Sequence, residues 1–456
     1  MIKIQDITGK SLSLHATLSL TRKTIIHINI FFLINIEFMM MKTNKTDHQE
    51  ITEYLENNVG KNILPLSQAE NKYMPGVGPI EILIFYSHKR DTTPQKGIEC
   101  FLKTAEHYNL FSSRLIMIGE NKFALQYCTD GIVTDVLPPV NAYSHDISID
   151  VIREKITHVK TLPGEPLLAL TLIPVKDGHF VGFSCSHAIA DGISCILFLY
   201  AWNCIIEGKD IIPPSTQRLF GGNPISADKI DKTFIPPLSG LSDEIKNRVK
   251  RSAIKTYTRT EYFTDQFLNE MKSKAKAENE KYTISNNQIM TAFLLKKYHH
   301  NILPDADKIR VRIPVDLRTI NPDIDSMYMG YAVLNSFAEF NKEEIDNMLL
   351  SQIAYRLKES INHTRDKSVI KEISYLSKYG VEIKDDILKK FPPYNMGTDI
   401  VSTNLTHLSD LESLFLGPDV MNIVYIGVAS IKTSFAMVKE KNGRMSAQIT
   451  SRYPLI

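Results

Sequence analysis

The sequence lacks an excess of charge of either sign and the usual marks of a cofactor or metal site. With 53 basic and 51 acidic side chains in 456 residues, the net charge is +2, so neither nucleic acid nor an anionic membrane is an expected partner. A Walker loop, a dinucleotide-binding glycine fingerprint and zinc-ligand spacing are all absent from the sequence. These absences predict a protein with no metal ion and no permanently bound cofactor.

The cysteines are few and odd in number. Cys100, Cys128, Cys185, Cys195 and Cys204 follow no metal-ligand spacing, and an odd count does not suit a disulfide framework. Three of them lie in apolar surroundings and are predicted to be small core residues. Free thiols of this kind favour the cytoplasm over secretion.

The sequence also lacks an uninterrupted run of ~20 apolar residues, the length that crosses a bilayer. Residues 25–41 come nearest and follow Arg22 and Lys23, but four polar residues interrupt them and no small-residue cleavage site follows. We therefore expect residues 1–41 to be either an extension outside the native product or an anchor-like segment. A translation start at one of the methionines 39–41 is favoured, and an N-terminal anchor or a signal peptide are the alternatives.

What the sequence does contain is an alternation of strand-like and helix-like segments. The β-branched and aromatic run 80–86 precedes helical spacing at 96–108, and residues 167–175 and 179–186 predict a strand pair. The chain is too long for one ordinary core, so two domains of α/β (α+β) type are predicted. Further strands are predicted at 115–118, 123–128, 256–263, 309–314, 332–340, 399–404, 420–426, 434–439 and 445–449, and further helices at 193–206, 264–277 and 286–299.

Residues 208–255 divide this pattern into two parts. Paired prolines or paired glycines break regular structure at three places there, which predicts a crossover loop. The predicted subdomains are residues 42–207 and 256–456.

The segment His187-Ala188-Ile189-Ala190-Asp191-Gly192 is the strongest candidate for chemistry. It follows a strand-like run and precedes a long apolar helix. Acyl transfer requires a base near the proton of the attacking group, and imidazole suits this because its pKa lies near working pH. A His-x-x-x-Asp pattern alone is weak. The alternative is a core histidine followed by Asp191 as a helix N-cap.

Several other segments occur in the order found in one superfamily. They are LSQAE at 66–70, YTISNN at 282–287, VDLR at 315–318 and YMGY at 328–331. From residue 64 onward the chain resembles the His-x-x-x-Asp acyltransferases, a group that includes BAHD acyltransferases, polyketide-associated acyltransferases, condensation domains and chloramphenicol acetyltransferase.

Four departures from the family pattern stand beside this resemblance. Ser186 occupies the position where condensation domains usually have a first histidine, and Tyr331 replaces the usual asparagine after Gly330. The BAHD segment Asp-Phe-Gly-Trp-Gly is absent, and LFLGP at 414–418 lies about where it is expected. No carrier-protein serine motif is visible in the sequence, so the acyl donor is expected to be a separate molecule.

The resemblance implies a fold of two chloramphenicol acetyltransferase-like sandwich domains with an active-site channel between them. It implies that His187 is the general base and that Asp191, followed by Gly192, is structural. Arg318 is the implied partner of Asp191 across the domain interface, and the alternative is an ordinary surface arginine.

Two further pairs receive roles with alternatives left open. Thr403 and Asn404 are oxyanion candidates, against a merely polar strand end. Lys250 and Arg251 belong to a basic cluster that either contacts coenzyme A phosphates or forms a solvated face. The pair at 299–300, His-His, is interpreted as a polar helix end because no ligand-spaced partner follows it.

The sequence therefore predicts a cytoplasmic, monomeric acyltransferase. It would move an acyl group from acyl-CoA, a co-substrate, to a hydroxyl or amine of a small molecule, without an acyl-enzyme intermediate. The alternatives are a condensation-type enzyme that uses donors bound to an acyl carrier protein, and a non-catalytic binding protein that keeps the fold.

Overall fold

A computed structural model describes most of the chain beyond residue 61. The described residues are 4–5, 11–12, 62–66, 76–87, 93–119, 122–128, 131–215, 225–226, 241–322, 324–366, 394–406, 421–429, 431–439 and 443–455. The chain forms two compact units, Met1–Glu53 and Tyr54–Ile456. Residues 25–41, with the predicted anchor-like run, and residues 67–70 and 414–418 lie outside the described part.

In the first unit, strand β1 (Ile4–Gln5) pairs antiparallel with β2 (Ser11–Leu12). The strands of the second unit are β3 (Asn62–Pro65), β4 (Ile80–Ser87), β5 (Ser113–Gly119), β6 (Lys122–Tyr127), β7 (Ile132–Val136), β8 (Leu168–Val175), β9 (Gly178–Cys185), β10 (Ile225–Ser226), β11 (Tyr257–Phe263), β12 (Lys308–Asp316), β13 (Val333–Asn341), β14 (Asp399–Asn404), β15 (Met421–Val428), β16 (Ser434–Lys439) and β17 (Met445–Ser451).

Eight α-helices are described in the second unit. They are α1 (Pro94–His107), α2 (Ile149–Arg153), α3 (Gly192–Ile206), α4 (Asp243–Ser252), α5 (Asp265–Glu278), α6 (Asn286–Ile302), α7 (Lys342–Asn347) and α8 (Leu350–Thr364).

The sheet that carries the His187 segment, called the first sheet below, has five strands in the order β15-β4-β9-β8-β7. Strands β8 and β9 form an antiparallel hairpin, and β9 also pairs antiparallel with β4. Successive side chains of a strand face opposite sides, so Phe183 of β9 packs with Phe101 and Phe198 of the helices α1 and α3, whereas Phe180 packs in a separate cluster with Ile156. Both faces of this sheet are therefore covered.

The larger sheet has six strands in the order β11-β17-β16-β14-β12-β13. Its centre is parallel, because β14 pairs parallel with both β12 and β16. Helices α5, α6 and α8 contribute Leu268, Ile289 and Ile353 to the core cluster that covers it. A further sheet has the order β10-β3-β6-β5.

These mixed sheets with packed helices confirm the predicted α/β class. The division at residues 208–255 stays a prediction, and one strand crosses it. β15, which follows the larger sheet's β14 in sequence, pairs antiparallel with β4 in the first sheet, with Val428 opposite Ile80. The predicted crossover loop also contains a helix, α4. Ser242 caps this helix by accepting from the Ile245 amide. The apolar side chains of the helix pack on the hydrophobic cluster that covers the first sheet.

Two further observations concern the described helices and cysteines. Among the residues described, none of the helices is both long and apolar enough to cross a membrane. Cys185, Cys195 and Cys204 are buried and free, which confirms that three cysteines act as small core residues.

Phe198 lies at the centre of an aromatic cluster under the first sheet. Its ring stacks on Phe111 at 4.3 Å and meets Phe101 edge-on at 5.2 Å. Phe198→Ala should lower the free energy of unfolding by about 3–5 kcal/mol, because the cavity left behind loses these contacts. Urea unfolding measures this. Val136→Ala is the control, since Val136 is 46% exposed and should change stability by less than about 0.5 kcal/mol. Equal effects of both substitutions would contradict the assigned core.

Candidate active site

His187 lies in the short segment between β9 and α3. The turn is held by Ser186, which is fully buried. Its Oγ accepts from the Ala188 amide at 3.1 Å and lies 2.7 Å from Thr161 Oγ1, and its carbonyl accepts from the Ile189 amide. The residue in the place of the condensation-domain histidine is thus a structural anchor of this turn.

The imidazole of His187 is held by its own loop. Its Nδ1 lies 3.1 Å from the carbonyl oxygen of Ala190, and a carbonyl can only accept, so the contact places the ring hydrogen on Nδ1 and leaves a lone pair on Nε2. Burial lowers the pKa of His187, and the charge of Asp191 opposes this only in part. The neutral, proton-accepting form is therefore favoured at neutral pH.

Tyr331 forms one wall beside this histidine. The two rings meet edge-on with centroids 5.9 Å apart. Burial raises the pKa of Tyr331 to about 12, so its hydroxyl keeps its proton and can act as a donor. The departure from the family's asparagine thus places a neutral phenol next to His187.

Asp191 and Arg318, the pair implied by the resemblance, are in contact. Arg318 Nη1 donates to Asp191 Oδ2 at 2.9 Å and Nη2 donates to Oδ1 at 3.1 Å, which is the bidentate geometry of strong arginine–carboxylate pairs. Their side chains are 1% and 3% exposed. The Ala332 amide also donates to Asp191 Oδ2 at 2.9 Å, so the carboxylate is fully committed to structural contacts.

The guanidinium of Arg318 is fixed by further acceptors. Its Nε and Nη2 donate to the Tyr328 carbonyl, and its Nη1 donates to Asp316 Oδ1 at 2.9 Å. Burial by itself disfavours the charged guanidinium, but Asp191 and Asp316 outweigh it and raise the pKa of Arg318. The guanidinium of Arg318 therefore keeps its charge at working pH.

Ser194 completes this network, and sequence reasoning missed it. Its Oγ and its amide both donate to Asp191 Oδ1 at 2.9 Å, and its Oγ also lies 3.0 Å from the Gly330 carbonyl oxygen. The sequence signal was only a serine in the first turn of a helix, which is common. Gly330 has φ +147°, a conformation that favours glycine. In this conformation its carbonyl accepts from the Asp191 amide and its own amide donates to Ser194 Oγ.

Gly192 begins α3 directly after Asp191, the N-cap. A Cβ built at Gly192 would meet nothing within 4 Å, so no steric contact explains glycine at this position.

Thr403 and Asn404 lie at the end of β14, at the same edge of the sheet as Asp316. This follows because β12 and β14 are parallel neighbours, so their carboxyl ends share one edge. Ser402 Oγ lies 2.7 Å from Thr291 Oγ1 of α6, so the alternation of a strand turns Thr403 to the other face. Asn404 is exposed, and its Oδ1 accepts from Thr406. No hydrogen bond joins either residue to His187 within the described residues.

Lys250 and Arg251 lie in the last turn of α4. Lys250 is exposed. Arg251 Nη1 donates to the Tyr394 carbonyl at 3.3 Å and lines a cavity of about 620 Å³ together with Arg310 and Arg452. This cavity lies at the amino-terminal end of β12, the opposite edge from Arg318.

The contact between Asp191 and Arg318 predicts a coupled response to substitution. Breaking a buried pair from one side leaves an uncompensated charge, which costs about 3–5 kcal/mol. Asp191→Asn and Arg318→Met should each destabilise by that order, and the double variant should cost less than their sum. Urea unfolding of the four proteins measures the coupling. Additive effects would show that the pair contributes no interaction energy.

Comparison with known proteins identifies the family of the chain. A family model described as Transferase family matches residues 58–404. An uncharacterized acetyltransferase of Arabidopsis thaliana is 30% identical over 190 residues, which cover 39% of this chain and 40% of the relative. A hydroxycinnamoyltransferase of Narcissus pseudonarcissus is 24% identical over 65% of this chain and 69% of its own length. The first match thus spans less than half of that relative.

Solved structures share the fold at lower identity. TRI101 of F. sporotrichioides, solved with coenzyme A and T-2, superposes with a TM-score of 0.61 at 15% identity, covering 85% of this chain and 94% of its own. Vinorine synthase superposes with a TM-score of 0.57 at 16% identity, covering 86% and 92%. The family match extends over most of the chain, and the protein therefore belongs to the Transferase family of BAHD acyltransferases.

Proposed function

We propose that this protein transfers an acyl group from acyl-CoA to a hydroxyl or amine of a small molecule, with His187 as the general base. The observation that carries the proposal is the imidazole geometry. Nδ1 is occupied by the Ala190 carbonyl at 3.1 Å, and the proton-accepting atom Nε2 is left for the acceptor. The carboxylate of Asp191 is held by Arg318 and Ala332 and cannot take this role.

The proposed reaction has two steps and no acyl-enzyme intermediate. The acceptor oxygen or nitrogen attacks the thioester carbon while His187 Nε2 takes its proton. The tetrahedral intermediate then collapses, the carbon–sulfur bond breaks, and the imidazolium returns the proton to the departing thiolate. The ester or amide and free coenzyme A leave, and His187 is neutral again.

The oxyanion of the intermediate needs a donor, and Thr403 and Asn404 are proposed for it. Their strand ends at the same sheet edge as Asp316 and Arg318, as the parallel pairing of β12 and β14 requires. The Thr403 side chain projects from the face opposite to Ser402 and α6. A donor of this kind contributes about 10²–10³ in kcat.

The phosphates of coenzyme A are proposed to meet Lys250 and Arg251. Support comes from the cavity that Arg251 shares with Arg310 and Arg452. Arg452 Nε is buried and has no hydrogen-bond partner among the described residues, so an anionic acceptor would satisfy it. Arg310 is partly neutralised by Glu339 at 2.9 Å. Arg310 lies in β12, and Arg318 lies eight residues later, just beyond the end of the strand. Eight residues of extended chain span about 26 Å. A donor that reaches from this cavity to the other end of the strand would therefore bind in an extended form.

The relatives support the choice of donor and acceptor. TRI101 is solved with coenzyme A and with T-2, a small molecule, and one curated relative is named a hydroxycinnamoyltransferase. A screen of acyl-CoA donors of several chain lengths against metabolite extracts identifies a working pair for this protein.

Replacement of the base tests the proposal directly. His187→Ala should lower kcat by ~10²–10⁴-fold, because removing a general base costs that much, while the unfolding midpoint stays near that of the native protein. Release of free thiol from the acyl-CoA found in the screen measures turnover. His145→Ala is the matched control, since His145 is 74% exposed and should keep full activity. Turnover near the native rate without the imidazole would exclude His187 as the base.

The pH profile tests the protonation state. Burial lowers the pKa of His187 from the ordinary 6.5, and a general base works only when deprotonated. The value of kcat/KM should therefore be level at neutral pH and fall only below a midpoint under 6.5 as the imidazole becomes charged. A rate that still rises between pH 7 and 8 would contradict this assignment.

Removal of the arginine tests the phosphate contact. Arg251→Ala should weaken coenzyme A binding by roughly 10- to 100-fold, the value of one charge-assisted hydrogen bond, as measured by titration calorimetry. Use of an S-acyl-pantetheine, which lacks the nucleotide phosphates, should be unchanged. Lys274→Ala, an exposed change on α5, is the control. Unchanged coenzyme A binding in the arginine variant would remove Arg251 from the donor site.

A further inference from the structure

Two adjacent histidines and an aspartate meet at the end of α6. His299 and His300 lie in its last turn, and Asp346 lies on α7, 46 residues after His300. One nitrogen of each histidine and a carboxylate oxygen lie within 4.8 Å of one another. The histidine pair was interpreted from the sequence as a polar helix end because no partner followed at ligand spacing. The partner comes instead from a separate helix.

His299 presents a bare nitrogen to this cluster. Its Nδ1 lies 2.9 Å from the Leu295 carbonyl oxygen, so the hydrogen is on Nδ1 and Nε2 carries a lone pair. The side chain is 1% exposed, and Nε2 lies 3.1 Å from Asp346 Oδ1. The buried Nε2 makes no hydrogen bond of good geometry among the described residues. In the neutral form with its hydrogen on Nδ1, His299 therefore turns the lone pair of Nε2 toward the Asp346 carboxylate, an arrangement that a shared cation would stabilise.

His300 approaches the same carboxylate from the solvent side. Its Nε2 lies 3.1 Å from both oxygens of Asp346, and its ring centroid is 4.0 Å from that of His299. Ligands at 2.0–2.2 Å from a tetrahedral Zn²⁺ are separated by about 3.3 Å. The nitrogen–oxygen distances of 3.1 Å from each histidine to the carboxylate are thus close to the spacing of ligands around one ion.

We propose that His299 Nε2, His300 Nε2 and the Asp346 carboxylate bind one divalent transition-metal ion, with Zn²⁺ as the representative. Two imidazoles and one carboxylate suit Zn²⁺, Co²⁺, Ni²⁺ or Cu²⁺, whereas Ca²⁺ and Mg²⁺ prefer oxygen ligands alone. The Leu295 carbonyl accepts from Nδ1 and orients the ring of His299, as a hydrogen-bonded carbonyl commonly orients a metal-bound imidazole. The carboxyl end of α6 also favours positive charge.

The surroundings allow an ion to enter and remain. The side chains of His300 and Asp346 are 59% and 47% exposed, so the ion reaches the cluster from solvent and keeps a water at its fourth position. Lys296 lies nearby, but its Nζ donates to the carbonyls of Ile345, Asp346 and Met348. It therefore binds the backbone of α7 and leaves the Asp346 carboxylate to the histidines.

The site is structural and not part of acyl transfer. Lys308, the first residue of β12, pairs with Asn341 just before α7, so the cluster lies toward the amino-terminal edge of β12, opposite to Arg318. A bound ion would clamp the end of α6 to α7.

Metal titration of the full-length, chelator-treated protein tests the proposal. ZnCl₂ should bind with one-to-one stoichiometry in calorimetry and raise the thermal unfolding midpoint, because it binds only the folded state. CoCl₂ should give the visible absorption of four-coordinate Co²⁺. His300→Ala and Asp346→Asn should each weaken Zn²⁺ binding by at least ~10-fold. Both positions are half exposed, so these variants should fold.

His363→Ala is the matched control, because His363 is an exposed histidine near the end of α8. Its Zn²⁺ affinity and Co²⁺ spectrum should equal those of the native protein. Zn²⁺ binding that survives in both His300→Ala and Asp346→Asn would overturn the site. So would the absence of any stoichiometric binding, or binding lost equally in His363→Ala.

Discussion

The ion pair between Asp191 and Arg318 joins two segments that are 127 positions apart in sequence. A buried carboxylate is costly unless every lone pair is satisfied. Here Asp191 accepts from the amide and hydroxyl of Ser194, from both terminal nitrogens of Arg318 and from the Ala332 amide. The loop that carries His187 is therefore fixed to the segment that connects β12 and β13 of the larger sheet. The position of the imidazole depends on that attachment.

Because of this attachment, the carboxylate of Asp191 does not orient the imidazole of His187. In a triad the carboxylate holds the imidazole directly. Here Asp191 is turned toward Arg318, and the Ala190 carbonyl holds His187 Nδ1. The backbone thus fixes the tautomer while the ion pair fixes the loop. Nothing in the network requires Asp191 to move a proton, which is compatible with the proposed role of His187 as a base that acts alone.

The two sheets are connected a second time through β15. After β14 of the larger sheet the chain forms β15, which pairs with β4 in the first sheet. The chain then returns to the larger sheet as β16, which pairs with β14. Such pairings join residues distant in sequence, so the halves cannot complete their sheets independently. The residues from Tyr54 to Ile456 form one compact unit, which agrees with these pairings. Non-local pairing of this kind also predicts slow folding.

The sequence by itself determined the local elements and pointed to His187 as the proposed base. Hydrophobic periodicity acts within a few residues, so it located β8, β9, α3 and α6 to within a few residues of their observed ends. The setting of His187 between a buried strand and a buried helix is likewise local. The partnership of Asp191 with Arg318 followed only from resemblance, because no local rule links such distant residues.

Only the tertiary structure decided the contacts that depend on how strands pair and helices pack. Ser194 contacts the second half of the chain because Gly330 approaches the first turn of α3. Arg251 lines one cavity together with Arg310 and Arg452. Asp346 reached His299 and His300 because α6 and α7 meet at one edge of the sheet. Each of these depends on the register of strands far apart in the chain. Periodicity and spacing within one segment carry no information about that register.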